Sequence, residues 1–151
     1  MPGGIRQLSL KGKALRLLGG REHSRAELER KLAPHEHEPG ELQRVLDDLQ
    51  GKGFISDARV IESVLHRRSA RLGAGRIRQE LHGKGLAPEL VSEAMDQLRA
   101  TEQARAREVW RRKFGEPPTD AAARAKQARF LAARGFGGEV IRRVLAGCDD
   151  D

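Results

Sequence analysis

The sequence predicts an all-α protein made of three tandem three-helix repeats in an elongated array. Three observations support this fold class. Ala, Leu, Arg and Glu, which favour helices, are abundant, whereas aromatic residues, which favour sheets, make up only 3% of the 151 residues. Apolar residues recur at helical spacing between Gly and Pro stop signals, and this pattern returns about every 50 residues. The scarcity of aromatic residues also predicts shallow cores of Leu, Val and Ile.

The first repeat shows three short helices with start and stop signals. Its first helix contains the apolar stretch 14–18 and ends at the glycine pair that follows. The second begins at Ser24, because Ser24 and Glu27 have the spacing of a capping box, and it stops at Pro34. The third spans about residues 40–51, with Leu and Val at helical spacing.

The second repeat follows the same plan. Ser56 and Asp57 can cap its first helix, and the apolar residues of its second helix follow Gly73 and Gly75. Pro88 suits the first position of its third helix. A shift of 49 residues aligns the apolar positions of the two repeats: it places Leu28, Leu32, Leu42, Val45, Leu46 and Leu49 on Ile77, Leu81, Val91, Ala94, Met95 and Leu98.

A third copy follows at an offset of 50 residues. This shift places Leu81, Gly85, Leu86, Leu90, Val91, Ala94 and Met95 on Leu131, Gly135, Phe136, Val140, Ile141, Val144 and Leu145. Lys84 falls on Arg134, so this turn keeps its positive charge. The pattern leaves open whether residues 88–114 form one long helix or two that meet at Thr101. We therefore predict helical repeats at 11–55, 56–100 and 101–147, an N-terminal tail at 1–10 and an acidic C-terminal tail at 148–151.

The two registers also predict which side chains are buried. The predicted core consists of Leu28, Leu32, Leu46, Leu49, Ile77, Leu81, Val91, Met95, Leu131, Phe136, Ile141 and Leu145. Trp110 and Phe114 are interpreted as core residues of the third repeat.

Positive charge is concentrated in the second and third repeats. The net charge is +7, and residues 58–147 carry 19 Lys and Arg against 10 Asp and Glu, whereas residues 1–57 carry 10 against 9. One basic cluster lies between residues 67 and 84, with Glu80 as its only acid, and another lies between residues 105 and 113. Such clusters bind polyanions, although solvated helix faces and helix ends also favour cations. We expect the binding surface to contain Arg67, Arg68, Arg71, Arg76, Arg78, Lys84, Arg111, Arg112, Lys113 and Arg134.

No pattern indicates catalysis, a metal or a cofactor. A Gly-Ala-Gly sequence at Gly73 begins like a dinucleotide-binding loop, but Arg78 takes the place of the third glycine and no strand precedes it. The tract from His35 to His37 lies in a Pro-flanked linker without further ligands nearby, and the other histidines are expected at the surface or half-buried. The single cysteine, Cys148, excludes an internal disulfide, and no signal peptide or membrane span is predicted. We therefore expect a cytoplasmic protein that is not an enzyme.

Several motifs occur in a characteristic order over residues 11–147. They include REHSRAEL at 21–28, VLDDL at 45–49, GFISD at 53–57, IRQEL at 77–81 and RFLAARGF at 129–136. Together they resemble the bacterial regulatory protein RecX family. The chain departs from the family pattern at Val60-Ile61, where the family typically has an aromatic residue followed by alanine. Both replacements are apolar, so the expected fold is unaffected.

The resemblance implies a modulator of the recombinase RecA that acts in DNA repair, DNA recombination and the SOS response. It implies binding in the groove of the RecA–DNA filament, which restrains the ATPase, strand-exchange and coprotease activities of RecA. We expect a monomer that needs no cofactor. Its basic face suits single- or double-stranded DNA as well as an acidic protein surface, and the sequence leaves open whether DNA is contacted directly. From the residues alone, two alternatives stay open: a stand-alone, non-specific nucleic-acid-binding protein and a helical adaptor for an acidic protein.

Overall fold

A computed structural model describes residues 7–147, and all regular secondary structure within that range is helical. The helices are α1 (Leu10–Gly20), α2 (Arg25–Leu32), α3 (Glu41–Gly51), α4 (Asp57–Arg68), α5 (Ala74–His82), α6 (Pro88–Lys113), α7 (Ala121–Ala133) and α8 (Gly138–Ala146), with a 3-10 helix at Ala33–His35. The predicted all-α fold class is confirmed. The predicted acidic tail at 148–151, with Cys148, and the first six residues lie outside the described range.

Helix α6 settles the question that the sequence left open, because it continues through Thr101 as one helix of 26 residues. It joins the last helix of the second repeat to the first helix of the third. Leu98, Glu102, Ala106 and Trp110 are buried at intervals of four residues along one face. A buried carboxylate at Glu102 interrupts the apolar pattern there, which explains why the sequence did not distinguish one helix from two.

The described chain divides into two compact units. The first contains the residues up to Val60 together with Lys84–Leu86. Its core consists of Leu10, Ala14, Leu28, Leu32, Leu42, Leu46, Leu49 and Ile55, which come from α1, α2, α3 and the segment after α3. Leu15, Leu17, Leu18 and Val45 pack against this core while staying partly exposed.

The second unit contains residues 61–83 and those from Ala87 onwards. One core cluster unites α6, α7 and α8 through Ala106, Trp110, Leu131, Phe136, Ile141, Val144 and Leu145. The indole Nε1–H of Trp110 donates to Oε1 of the buried Gln127 at 2.8 Å. Ile77, Leu81 and Met95 are also buried in this unit.

The predicted core positions are buried except for two: Phe114, which packs against the core of the third repeat while staying partly exposed, and Val91. Val91 lies half-exposed on α6, so its assignment to the core was wrong. Its counterparts at the two register offsets, Leu42 and Ile141, are buried. Helical periodicity places a residue on the inner face, but the depth of a side chain depends on how closely the neighbouring helices approach it.

The start of α2 has the predicted capping box. The Ser24 hydroxyl accepts from the Glu27 backbone N–H at 3.1 Å, and the Glu27 carboxylate accepts from the Ser24 backbone N–H at 3.0 Å.

His23, expected at the surface or half-buried, is instead buried. Its Nδ1–H donates to the Arg21 carbonyl, and Nε2 accepts from the Lys31 ammonium at 3.0 Å. Burial lowers the pKa of His23, which keeps the ring neutral and able to accept that bond.

None of the helices within residues 7–147 is both long and apolar enough to cross a membrane.

Candidate partner-binding surface

The predicted basic residues have different environments in the folded chain. Lys84 belongs to the first unit, and the other nine belong to the second. Arg67 and Arg68 both approach the Glu80 carboxylate, at 3.8 and 3.1 Å. Arg111 and Arg112 likewise share the Glu108 carboxylate, at 2.7 and 3.1 Å, and their hydrogen bonds hold the pKa of that group below its ordinary value.

The turn at Lys84 packs against the start of α2, and we refer to this as the Lys84 contact. The Ser24 hydroxyl donates to the Lys84 carbonyl at 2.5 Å, and the Lys84 ammonium lies 3.5 Å from both carboxylate oxygens of Glu27. Gly85 has φ +63°, and a Cβ there would meet the Cβ of Ala26. The close approach of this turn to α2 therefore requires glycine.

Glu27 is the electrostatic centre of the Lys84 contact. Its side chain is 7% exposed, and that of Lys84 is 13% exposed. Burial alone would raise the pKa of this carboxyl. Hydrogen bonds from Arg21 at 2.6 Å and from the Ser24 backbone, with the charge of Lys84, outweigh burial and lower the pKa to about 2. Lys84 is thus engaged by an intramolecular carboxylate.

The turn at Arg134 packs against the start of α5 within the second unit, and we refer to this as the Arg134 contact. The backbone N–H of Gly73 donates to the Arg134 carbonyl at 2.8 Å, and that of Gly75 donates to the Gly135 carbonyl at 3.1 Å. The guanidinium of Arg76 donates to the Ala133 carbonyl at 2.7 Å. No carboxylate takes part in these bonds, so the side chain of Arg134 is not held by an acid here.

Four of the predicted basic residues line one groove of about 270 Å³ in the second unit, which we call the Phe130 groove. They are Arg71, Arg112, Lys113 and Arg134, while Ala70, Val109 and Phe130 supply its apolar lining. The Lys113 ammonium lies 5.4 Å from the centre of the Phe130 ring, and the Arg134 guanidinium lies 4.9 Å from it. Phe114 meets Phe130 edge-on, with ring centres 5.4 Å apart.

Arg105 fixes the wall of the groove that carries Arg71. Its guanidinium donates to the carbonyls of Ser69 at 2.9 Å, Leu72 at 2.8 Å and Leu98 at 3.0 Å. Burial lowers the pKa of Arg105. The segment between α4 and α5 is thereby tied to α6. The sequence placed Arg105 in a run of cations without distinguishing this structural role from that of its neighbours.

The carboxylate of Glu102 caps the start of α5. Gly73 precedes this helix and has no side chain to cap it, and Glu102 accepts from the Ala74 backbone N–H at 3.0 Å. Glu102 and Arg105 on one long helix therefore hold both ends of the segment between α4 and α5.

Phe130 was not among the residues predicted for the surface, although the sequence carried a signal for it. At the offset of 50 residues that places Leu81 on Leu131, Phe130 falls on Glu80, a polar position in the second repeat. An aromatic side chain at an outward-facing register position indicates a special environment. In the folded chain it is half-buried, with two cations over its ring.

Arg71 and Arg78 are exposed and make no side-chain ion pair among residues 7–147. Arg71 lines the Phe130 groove, whereas Arg78 lies on α5 outside its lining.

Among residues 7–147, no group of three His, Cys, Asp or Glu side chains is arranged to hold a metal ion.

Comparison with known proteins places this arrangement in a family. Models of the first, second and third three-helix domains of RecX match residues 11–49, 56–95 and 100–145. The regulatory protein RecX of Leptothrix cholodnii is 57% identical over 145 residues, covering 96% of this chain and 92% of that protein. The regulatory protein RecX of Ralstonia nicotianae is 51% identical over 142 residues, covering 94% and 89%.

Solved structures agree with the fold. The crystal structure of RecX from Lactobacillus salivarius is similar with a TM-score of 0.74 and 19% identity, covering 94% of this chain and 96% of that one. A second crystal structure of a regulatory protein RecX gives a TM-score of 0.73 at 20% identity, covering 94% of this chain and 72% of the other. With the three domain matches and the closely similar sequences, this chain belongs to the RecX family of regulatory proteins.

Proposed function

We propose that this protein binds the RecA–DNA filament and restrains the ATPase, strand-exchange and coprotease activities of RecA, without catalysing a reaction itself. The relatives are named as regulatory proteins, and the family resemblance implies RecA as the partner. The observation that carries the proposal is the Phe130 groove, where Arg71, Lys113 and Arg134 have no acidic partner among residues 7–147. Uncompensated cations on a concave surface favour an anionic partner.

The proposed binding surface has the groove at its centre. We expect five more cations to extend it across the second unit: Arg67, Arg68, Arg76, Arg78 and Arg111. Those paired with Glu80 or Glu108, including Arg112 of the groove, contribute less because their charge is partly neutralised. Lys84 is engaged by Glu27 and takes no part in this surface. A filament of protein and DNA presents many anionic groups, so several moderate contacts suffice for binding.

The test is the single-stranded-DNA-dependent ATPase of RecA with and without this protein. The triple variant Arg71→Glu, Lys113→Glu and Arg134→Glu should need at least about tenfold more protein for half-inhibition, equivalent to about 1.4 kcal/mol of binding free energy. Far-ultraviolet circular dichroism should show that this variant keeps its helices.

A matched control changes the same charge on exposed residues that do not line the groove: Arg124→Glu, Lys126→Glu and Arg129→Glu. It should inhibit RecA nearly as well as the unaltered protein. Equal loss in both triple variants would indicate attraction by net charge alone. An unaltered protein that binds bare DNA as tightly as the filament, and leaves the ATPase unchanged, would favour a stand-alone nucleic-acid-binding role instead.

A further inference from the structure

We infer that the Phe130 groove binds an acidic segment of a partner protein, with carboxylates flanking a large apolar side chain, and that it is not a track for a DNA strand. This inference rests on the proposed function and specifies the kind of partner segment that binds at this site. The inference depends on three properties of the groove: its free cations, its apolar lining and the environment of its aromatic ring.

The free cations of the groove favour carboxylates. Arg71, Lys113 and Arg134 line it without an ion pair to any acid among residues 7–147, and none of the lining residues is acidic. Arg112 also lines the groove, but its charge is partly used by Glu108 at 3.1 Å. A partner with two or more carboxylates close together would neutralise these cations at short range.

The apolar lining favours a hydrophobic side chain between those carboxylates. Ala70 is exposed and Val109 and Phe130 are partly exposed, so together they give the groove an apolar surface that solvent can reach. The volume of about 270 Å³ accommodates one or two side chains. A Leu or Phe inserted there would remove apolar area from water on both partners, which a phosphate backbone would not do.

The environment of Phe130 disfavours a nucleic-acid strand. Proteins that bind single strands offer aromatic rings on which successive bases stack. Here Phe130 is the only aromatic residue in the lining, so successive bases would find no row of stacking rings, and the cations of Lys113 and Arg134 lie over this one ring. A single inserted side chain needs no such row and can pack against Ala70, Val109 and the uncovered part of the ring. Phe114 is partly buried against the core and does not line the groove. The site therefore has the features of a pocket for a peptide anchor.

The test measures direct binding by fluorescence anisotropy with three labelled probes. The first is an acidic peptide with a Leu-Phe pair at its centre, the second has Gly-Gly in place of that pair, and the third is an oligothymidylate of matched charge. We expect the Leu-Phe peptide to bind about tenfold more tightly than the Gly-Gly peptide, a difference of about 1.4 kcal/mol. It should also bind more tightly than the oligothymidylate.

The variants Lys113→Glu and Arg134→Glu should each weaken binding of the Leu-Phe peptide at least tenfold. The matched control Lys126→Glu makes the same change of charge on α7 outside the groove and should alter binding less than twofold. These exposed or half-exposed positions allow folded variants, and circular dichroism verifies that each one is folded. Equal affinity for the two peptides, or equal loss in the control, would overturn the inference.

The result also separates this inference from the proposed function. Tighter binding of oligothymidylate, lost in Arg134→Glu, would make the groove a nucleic-acid site and overturn the peptide assignment. A protein that inhibits RecA but ignores the Leu-Phe peptide would overturn this inference and support the proposed function. One that binds the peptide through Lys113 and Arg134 but leaves the RecA ATPase unchanged would support the groove chemistry and contradict the proposed function.

Discussion

The Lys84 contact and the Arg134 contact occupy equivalent positions in successive repeats but differ in their electrostatics. In each, a turn of Lys or Arg followed by glycine packs its backbone against the start of the second helix of the preceding repeat. The main difference is one position: Glu27 corresponds to Arg76 at the offset of 49 residues. The carboxylate holds Lys84 internally, whereas Arg76 binds a backbone carbonyl and cannot attract Arg134.

We propose that this difference separates stabilisation from recognition within one repeated arrangement. Where the acid is present, the cation of the turn is mostly buried and contributes to folding. Where the acid is replaced by arginine, the cation lies over Phe130 at the edge of a groove and is available to a partner. On this proposal, a single reversal of charge gives equivalent turns different roles.

The largest effect is expected from Glu27→Ala, which should lower the free energy of unfolding by about 3–5 kcal/mol. The substitution removes one half of the capping box, the hydrogen bond from the Ser24 backbone N–H to the Glu27 carboxylate, and leaves the mostly buried Lys84 without its carboxylate. Its equivalent, Arg76→Ala, removes one hydrogen bond from an exposed side chain and should cost only about 1 kcal/mol. Urea denaturation of both variants measures the difference, and similar losses would show that the two contacts do not differ as described.

A somewhat smaller effect is expected from pH. Because the pKa of Glu27 is lowered to about 2 in the folded chain, its carboxylate stabilises the fold fully above the ordinary pKa of 4.5. That contribution, about 3 kcal/mol, should be lost as the pH falls from about 4.5 to about 2. Urea denaturation across this range should show the free-energy gap between the unaltered protein and Glu27→Gln closing. For Arg76→Gln the gap should stay constant, and parallel pH profiles for the two variants would contradict the assignment.

A stability effect smaller than either of those expected at Glu27 concerns the close approach of backbones in the Arg134 contact. A Cβ at Gly73 would lie 2.5 Å from backbone atoms of Gly135 and Phe136, so Gly73→Ala should destabilise the protein. We expect a loss of about 2 kcal/mol in thermal or urea denaturation. Gly137 also precedes a helix, but a Cβ there meets nothing within 4 Å, so Gly137→Ala is the matched control. Equal effects of the two alanines would mean that the backbones are farther apart.

The repeat register made the fold predictable, because apolar positions and turn glycines recur at offsets of 49 and 50 residues. It also aligned Lys84 with Arg134. The register could not reveal that Glu27 lies beside Lys84, since 57 residues separate them and neither lies on an apolar stripe. Charge density alone placed Lys84 in the binding surface, although its ammonium is held inside the fold.

The sequence did not predict that α6 is one continuous helix, nor which residues line the Phe130 groove. Glu102 interrupts the apolar stripe of α6, and its carboxylate caps α5 through a tertiary hydrogen bond. The local sequence pattern gives no indication of that bond. Arg71, Lys113 and Arg134 come from three separate segments. The packing of α6 against α7 and the bonds of Arg105 to the segment before α5 help to bring their cations together.

The proposed division of roles between the two contacts is tested by comparing Arg134→Glu with Lys84→Gln in the RecA ATPase assay on single-stranded DNA. Arg134→Glu should raise the concentration for half-inhibition about tenfold while the unfolding midpoint changes little. Lys84→Gln should lower the unfolding midpoint while its half-inhibitory concentration stays within about twofold of the unaltered protein, since it disturbs a pair that faces inward. Full inhibition by a folded Arg134→Glu protein, together with loss of inhibition in a folded Lys84→Gln protein, would contradict the division of roles between the two contacts.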